Sequence, residues 1–284
     1  MKVHSAKPLS RYAILGYPLE HSVSPLLHNR AFKDYGMRAV YQKLAVPPQE
    51  FEREIAKIKK EDWQGFNVTI PYKERIIPFL DWIDETARAI GAVNTIKCET
   101  GRWLGFNTDW LGFLRPLAGD LARIKRCLVL GAGGAARAVA FGLIVKGEVS
   151  SLTVANRSLQ RAQQLIGDLK AHTSLPLQAI ALQEVASFKE PPFDLIVNTT
   201  SVGMNDDQDR LICDPRPLAH AQTIVYDLVY KPPETAFLRR ARSAGLRALN
   251  GYPMLVYQAD EAFKIWTGKP YKSSTLQALL SGEI

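Results

Sequence analysis

Two charged residues and a ring of small polar ones are the first candidates for chemistry. Lys73 stands two residues past a proline in Asn67-Val68-Thr69-Ile70-Pro71-Tyr72-Lys73, and Asp109 closes Asn107-Thr108-Asp109. An ammonium at the carboxyl end of a strand in an α/β sheet can stabilise negative charge that grows on a bound oxygen, and it can supply a proton. A neighbouring carboxylate would orient the lysine and favour its charged form against desolvation. Ser22 and Ser24 in His21-Ser22-Val23-Ser24-Pro25, Thr69, and Asn94 in Gly91-Ala92-Val93-Asn94-Thr95 add hydroxyls and amides. Together they suit a small, polyhydroxylated, anionic ligand. Taken singly each has a plainer reading: Lys73 solvated on a turn, Ser24 and Asp109 as helix caps, Asn94 in a turn.

A second centre follows the apolar run Cys127–Leu130, which leads into Gly131-Ala132-Gly133-Gly134-Ala135-Ala136 and then a helix-forming stretch. This is G-x-G-x-x-A between a strand and a helix. Gly131 permits the tight turn, Gly133 lets backbone amides approach a pyrophosphate, and Ala136 lets helix and sheet pack closely. A tight packing turn with no ligand is the alternative. The next strand ends Asn156-Arg157-Ser158, with Arg161 four residues beyond Arg157 and no Asp or Glu to take a ribose 2′-hydroxyl. Two cations there match a 2′-phosphate, which predicts NADP rather than NAD. Arg161 on a solvated helix face is the competing reading. The loop Asn198–Met204 follows the apolar stretch Asp194–Val197, and lies over the cofactor or is a plain loop.

The elements that must position these groups alternate. Strands are expected at Tyr12–Leu15, Val40–Val46 and Phe66–Ile70. Helices are expected over Ser24–Tyr35, with Ser24 as cap, over Pro48–Lys60 and over Tyr72–Trp82. The last helix would hold Lys73 in its first turn, where the helix dipole opposes a cation. Ala92–Cys98 and Arg102–Phe106 read as a hairpin, and a helix opens at Asp109. From Arg126 a second alternating region carries strands near Cys127–Leu130, Ser151–Ala155, Asp194–Val197 and Thr223–Asp227. Near the end, Leu255, Ala259, Ala262, Phe263 and Trp266 form an apolar helical stripe on which Gln258 falls. Its buried amide needs a partner, a ligand hydroxyl or a backbone group. Using it at the substrate requires the chain to return to its first domain. The expected class is therefore α/β with two domains. Residues 1–109 plus 250–284 form an open, mostly parallel substrate domain, and residues 110–249 a doubly wound Rossmann domain.

Composition narrows the class. Of 284 residues, 46% are hydrophobic and 23% charged, as in a globular chain. The first ten residues lack a signal-like apolar core, and the longest apolar run, 138–145, is too short for a bilayer. Three scattered cysteines form neither a CxxC pair nor a disulfide framework, which fits a cytoplasmic location, and the five histidines lack metal-ligand spacing, so no metal is expected. The net charge of +8 is spread without a basic arm or aromatic nucleic-acid motif, so an enzyme of acidic substrates is expected over a nucleic-acid binder.

HSVSPLLHN, NVTIPYK, GAVNT, NTDW, GAGGAARA, NRS, DLVYKP and NGYPMLVYQ occur in this order along almost the whole chain. In this the sequence resembles the shikimate dehydrogenase family. The resemblance implies reversible NADP-dependent reduction of 3-dehydroshikimate to shikimate, in aromatic amino-acid biosynthesis, at a cleft between a substrate and a Rossmann domain. It implies that Ser22 and Ser24 bind the substrate carboxylate, Thr69, Asn94 and Gln258 its ring hydroxyls, and Lys73 and Asp109 act as the catalytic pair, with Tyr230 near the carboxylate. The expected cofactor set is Gly131, Ala132, Gly133, Gly134, Ala135, Asn156, Arg157, Ser158, Arg161, Thr199 and Gly251. The expected partner is the small-molecule substrate, with no nucleic acid or membrane, in a monomer or homodimer. Two other readings remain: a quinate/shikimate dehydrogenase of broader substrate or NAD use, and a catalytically silent relative that binds nucleotide and metabolite.

Overall fold

The apolar run Tyr12–Leu15 becomes the inner strand of a six-stranded sheet because both its faces are covered. In the computed structural model, which describes residues 8–188, 192–204 and 209–282, β1 (Ser10–Gly16) pairs in parallel with β2 (Ala39–Ala45) and β3 (Gly65–Val68). Ala13 and Leu15 pack with Phe51, Ile55, Phe66, Val68 and Tyr72 on one face. Tyr12, pointing the other way, meets the rings of Phe32 at 4.9 Å and Trp266 at 5.1 Å. A strand buried on both faces reads as a continuous apolar run rather than an alternation.

The chain separates into two units. The first holds residues through Arg88, Ala92–Thr108 and the chain from Gln258 onward; the second holds Ala89–Gly91 and Asp109–Tyr257. In the first unit the sheet is completed by β4 (Trp82–Ile83), β5 (Thr95–Glu99) and β6 (Arg102–Phe106), in the order β2-β1-β3-β5-β6-β4. The β5–β6 hairpin is antiparallel, as is the β3–β5 pair, so the sheet is mixed. Thr100 at φ 50° and Gly101 at φ 77° make its turn. Helices α1 (Ser24–Asp34) and α2 (Phe51–Ile58) fill the crossovers.

Two local expectations fail. Tyr72–Trp82 is not a helix: it holds turns, a short 3-10 turn at Ile77–Phe79 and the start of β4, with α3 (Glu85–Ile90) following. Pro78 inside the segment has no N–H for a helical ladder, and the Tyr72 hydroxyl donates to the Val46 carbonyl, fixing the turn to the core. Lys73 therefore faces no helix dipole. Ser24 is the first residue of α1 rather than its cap; the cap position is Val23, and no side chain caps the helix.

In the second unit α4 (Asp109–Leu114) precedes a fully parallel sheet of β7 (Arg126–Leu130), β8 (Ser151–Asn156), β9 (Leu177–Ala181), β10 (Phe193–Asn198), β11 (Ala219–Asp227) and β12 (Arg247–Leu249). Its order is β12-β11-β10-β7-β8-β9, the doubly wound arrangement of a Rossmann sheet, with β7 and β10 at the reversal of direction. The edge strands β9 and β12 lack the long apolar runs that mark the inner four. Helices α5 (Gly134–Lys146), α6 (Leu159–Leu169) and α7 (Ala236–Ser243) lie in the connections. The 16-residue α8 (Tyr252–Thr267) starts in the second unit and ends in the first, and α9 (Ser273–Ser281) closes the chain in the first. Among the described residues no helix is long and apolar enough to cross a membrane, and no group of His, Cys, Asp and Glu could hold a metal ion.

Candidate active site

In the first unit the strand ends supply the polar groups. The Thr69 amide donates to the Leu15 carbonyl, so the chain stays paired for one residue past β3. It then turns through the cis Ile70–Pro71 bond, and Tyr72 N–H returns to the Thr69 carbonyl. Lys73 follows, half-buried, its carbonyl accepting from Val93 N–H at 2.7 Å. That bond sets Lys73 against the Gly91–Thr95 stretch, one residue from Asn94. Ser22 is half-buried in the turn after β1 and Ser24 is buried at the start of α1. With no side chain capping α1, the Ser24 hydroxyl is not spent on the helix.

Asn94 and Gln258 are both buried and in contact, the Asn94 Nδ2 donating to Gln258 Oε1 at 3.3 Å. Asn94 Oδ1 accepts from the Thr108 amide at 2.7 Å and from the Thr95 hydroxyl at 3.0 Å. Asn67 in β3 donates to the Asn94 carbonyl and to the Thr95 hydroxyl, and its Oδ1 faces His28 and the Tyr41 hydroxyl. His28 and Tyr41 were not among the residues expected to matter. Their signal in the sequence is His28 one helical turn after Ser24 on the same face of α1.

In the second unit the first glycine turn is built as its sequence requires. Gly131 takes φ 113°, and a Cβ there would collide with the Thr199 hydroxyl. Thr199 is locked over this turn, its amide and hydroxyl both donating to the Leu130 carbonyl, at 2.9 and 2.7 Å. Gly133 caps α5, and among the described residues nothing lies within 4 Å of where its Cβ would sit. Ala132, Gly133, Gly134 and Ala135 thus leave the amino end of α5 open to an anion. Ala136 is fully buried against the sheet.

Beside the end of β8 lies a pocket of about 420 Å³ lined by Arg157, Leu182, Val185, Ile212, Cys213 and Asp214 among others. Arg157 and Arg161 are both exposed. Asn156 Nδ2 donates to the Ser158 carbonyl, and the Ser158 hydroxyl caps α6 by accepting from the Arg161 amide. The pocket wall carries the Arg157 guanidinium, the Gln183 amide and the Asp214 carboxylate beside its apolar residues, and no acidic side chain stands at the end of β8, where an NAD site has one. Gly251 is placed by packing, since a Cβ there would run into the Leu228 carbonyl. Tyr230 is half-buried just beyond β11, and Asp109 is buried at the start of α4.

A buried carboxylate organises the loops at this sheet edge. Asp227 at the end of β11 accepts from the Asn198 amide, the Val229 N–H and the Thr235 hydroxyl, at 2.9, 3.0 and 2.6 Å. Burial pushes its carboxyl up to about 6, against the lowering effect of those three donors. Asn198 in turn holds the Thr200 amide and hydroxyl, shaping the loop that carries Thr199. The three cysteines are free, and burial raises each thiol, to about 12 for Cys98 and Cys213, so none is a thiolate nucleophile near neutral pH.

Known proteins match this chain in both of its units. Residues 14–96 match the model of the shikimate dehydrogenase substrate binding domain, and residues 117–202 that of the shikimate / quinate 5-dehydrogenase. A shikimate dehydrogenase (NADP(+)) of Oceanobacillus iheyensis is 41% identical over 261 residues, 90% of this chain and 91% of that relative. One of Moorella thermoacetica is 44% identical over 272 residues, 94% and 91% of the two chains. The crystal structure of the Thermus thermophilus shikimate 5-dehydrogenase in complex with NADP(H) and shikimate superposes with a TM-score of 0.81 at 36% identity, covering 97% of this chain and all of that one. With both domain models matched and relatives this similar along nearly its whole length, the chain belongs to the shikimate dehydrogenase family.

Proposed function

We infer that this chain is an NADP-dependent shikimate dehydrogenase, which reduces 3-dehydroshikimate to shikimate and catalyses the reverse oxidation. The observation that carries this reading is the buried Asn94–Gln258 amide pair near Lys73 in a unit joined to a Rossmann sheet. Such a pair reads ring hydroxyls, and a fold alone would not specify the substrate. The first unit serves as the substrate domain and the second as the cofactor domain.

Bound NADP(H) supplies or accepts the hydride. Lys73 holds its ammonium at the ketone oxygen, stabilises the charge that grows there, and gives up a proton from Nζ to form the hydroxyl; in oxidation it takes that proton back. Asp109 is its partner, orienting the ammonium and favouring its charged form. Ser22 and Ser24 bind the carboxylate, with Tyr230 beside it, and Thr69, Asn94 and Gln258 bind the ring hydroxyls. Gly131–Ala135 cradle the pyrophosphate, Arg157 and Arg161 take the 2′-phosphate, Asn156 and Ser158 border the ribose, and Thr199 and Gly251 complete the cofactor loops. The free thiols fit a cytoplasmic location, and the molecule works as a monomer or homodimer, which sedimentation would distinguish.

The test offers shikimate or quinate with NADP or NAD and follows reduced nicotinamide by absorbance. Turnover should be highest for shikimate with NADP. Lys73→Ala should lower kcat by about 10²–10⁴-fold, the usual range for a positioned acid–base group. Near-normal kcat with a raised KM would reduce Lys73 to a binding residue, and cofactor binding without turnover in any combination would leave a silent relative.

A further inference from the structure

The buried polar groups outside the assigned site concentrate around His28. Its ring is fully buried, stacked on Tyr41 at 4.4 Å and flanked by Trp266 at 5.0 Å. Nδ1 lies 2.9 Å from the Tyr271 hydroxyl, and Nε2 lies 3.1 Å from Asn67 Oδ1.

The proton positions follow from the partners. The Asn94 carbonyl can only accept, so the Asn67 atom facing it is the amide nitrogen, and Oδ1 faces Tyr41 and His28. A carbonyl oxygen gives no proton, so His28 Nε2 must carry one. Nδ1 is then an acceptor, filled by the Tyr271 O–H. From Asn67 the polarity runs on. Nδ2 donates to the Thr95 hydroxyl, that hydroxyl donates to Asn94 Oδ1, and Asn94 Nδ2 donates to Gln258 Oε1. Tyr271 is itself tied back to α8 by its backbone N–H, which donates to Asp260 Oδ1 at 2.5 Å, two residues from Gln258. Burial pushes the imidazole down to about 3, with the Asn67 bond opposing, so the ring stays neutral.

We propose that His28 is a positioning residue for substrate binding: its Nε2–H tautomer fixes Asn67, and through Asn67 the Asn94–Gln258 amide pair, while tying the helix that carries Ser24 to that pair. The inference rests on the assignment of Asn94 and Gln258 to the substrate. His28 touches neither substrate nor cofactor in this role. Its effect is to hold the group that reads the carboxylate, one helical turn away, in register with the groups that read hydroxyls.

His28→Phe keeps a ring between Tyr41 and Trp266 but removes both hydrogen bonds; His28→Gln returns an N–H to the Nε2 position. His28→Phe should raise KM for shikimate about tenfold, the scale of one lost buried hydrogen bond, with a smaller fall in kcat and an unchanged KM for NADP. His28→Gln should recover most of that loss. Tyr271→Phe, which keeps the imidazole, guards against a folding failure of His28→Phe and should raise the same KM about threefold, less than a full bond is worth. A long-range 1H–15N correlation spectrum of the wild-type enzyme should show His28 protonated at Nε2 alone. Protonation at Nδ1 overturns the proposal. So does an unchanged KM in His28→Phe and Tyr271→Phe while Asn94→Ala raises it. An unchanged KM in Asn94→Ala overturns the substrate assignment itself, a separate result.

Discussion

Asn94 and Gln258 stand 164 residues apart in the chain, yet their side-chain amides meet at 3.3 Å inside the first unit. The contact exists because α8 leaves the second unit and delivers Gln258 back to the sheet that holds β3 and β5. Trp266, further along α8, pins this return by donating Nε1–H to the Ile96 carbonyl at 2.9 Å. Gln258→Leu keeps the bulk, leaves Asn94 Nδ2 its bond to the Thr108 hydroxyl at 2.9 Å, and removes the amide proposed to bind a ring hydroxyl. A substrate hydroxyl buried on binding without that partner costs about 1–3 kcal/mol, or roughly 5–150-fold in affinity. Steady-state kinetics should show the KM for shikimate rising in that range with the KM for NADP unchanged; equal rises in both would mean a general loss of structure.

The return of the chain was legible because Gln258 interrupts an apolar stripe, a local signal. The Rossmann sheet was legible for a similar reason: four buried parallel strands are continuous apolar runs, and the glycine turn follows one of them directly. What stayed hidden depends on tertiary partners. Tyr72–Trp82 has a helical pattern, but Pro78 and the Tyr72 bond to the Val46 carbonyl override it. Ser24 has the residue type of a cap and the position of a first helical residue. His28 bonds Tyr271 across 243 residues, a pairing that no periodicity encodes.

Arg157 lines the pocket beside β8 and follows that strand without an acidic residue to prefer a 2′-hydroxyl. A charge-assisted hydrogen bond to a phosphate contributes about 1.5–3 kcal/mol. Arg157→Ala should therefore raise the KM for NADP by roughly 10–150-fold and leave that for NAD nearly unchanged. Titration with both dinucleotides reads the ratio directly, and an unaltered preference for NADP would remove Arg157 from the 2′-phosphate site.

Gly131 has φ 113°, and the Thr199 hydroxyl occupies the place of a Cβ, with Thr200 Cγ2 only 3.0 Å from it. Thr199 cannot retreat without breaking both bonds to the Leu130 carbonyl. Gly131→Ala combines a strained backbone, about 1–3 kcal/mol, with displacement of this loop. The variant should melt several degrees lower and bind NADP at least tenfold more weakly in calorimetry, about 1.4 kcal/mol. Gly133→Ala, with open space around its Cβ position, should lose affinity for NADP with little change in melting temperature. A Gly131→Ala protein that melts and binds like wild type would show that the turn has room to relax.

His28 and Asp227 set opposing dependences of stability on pH. His28 has its folded pKa depressed to about 3 from an ordinary 6.5, so below pH 6.5 the unfolded chain binds the extra proton. Stability from this group is complete above pH 6.5 and is lost as pH falls, at about 1.4 kcal/mol per pH unit. Asp227 has its folded pKa raised to about 6 from 3.8, so between pH 4 and 6 the folded chain binds the extra proton, and stability from this group grows as pH falls. The two slopes nearly cancel between pH 6 and 4. Carboxylates held below their ordinary range, such as Asp194 with its two backbone donors, act only at lower pH. Asp227→Asn removes one of the opposing slopes. Urea unfolding at pH 4, 5 and 6 should show the variant losing stability at about 1.4 kcal/mol per pH unit relative to wild type. Parallel profiles would mean that Asp227 has the same proton affinity folded and unfolded, and that its three donors offset its burial completely.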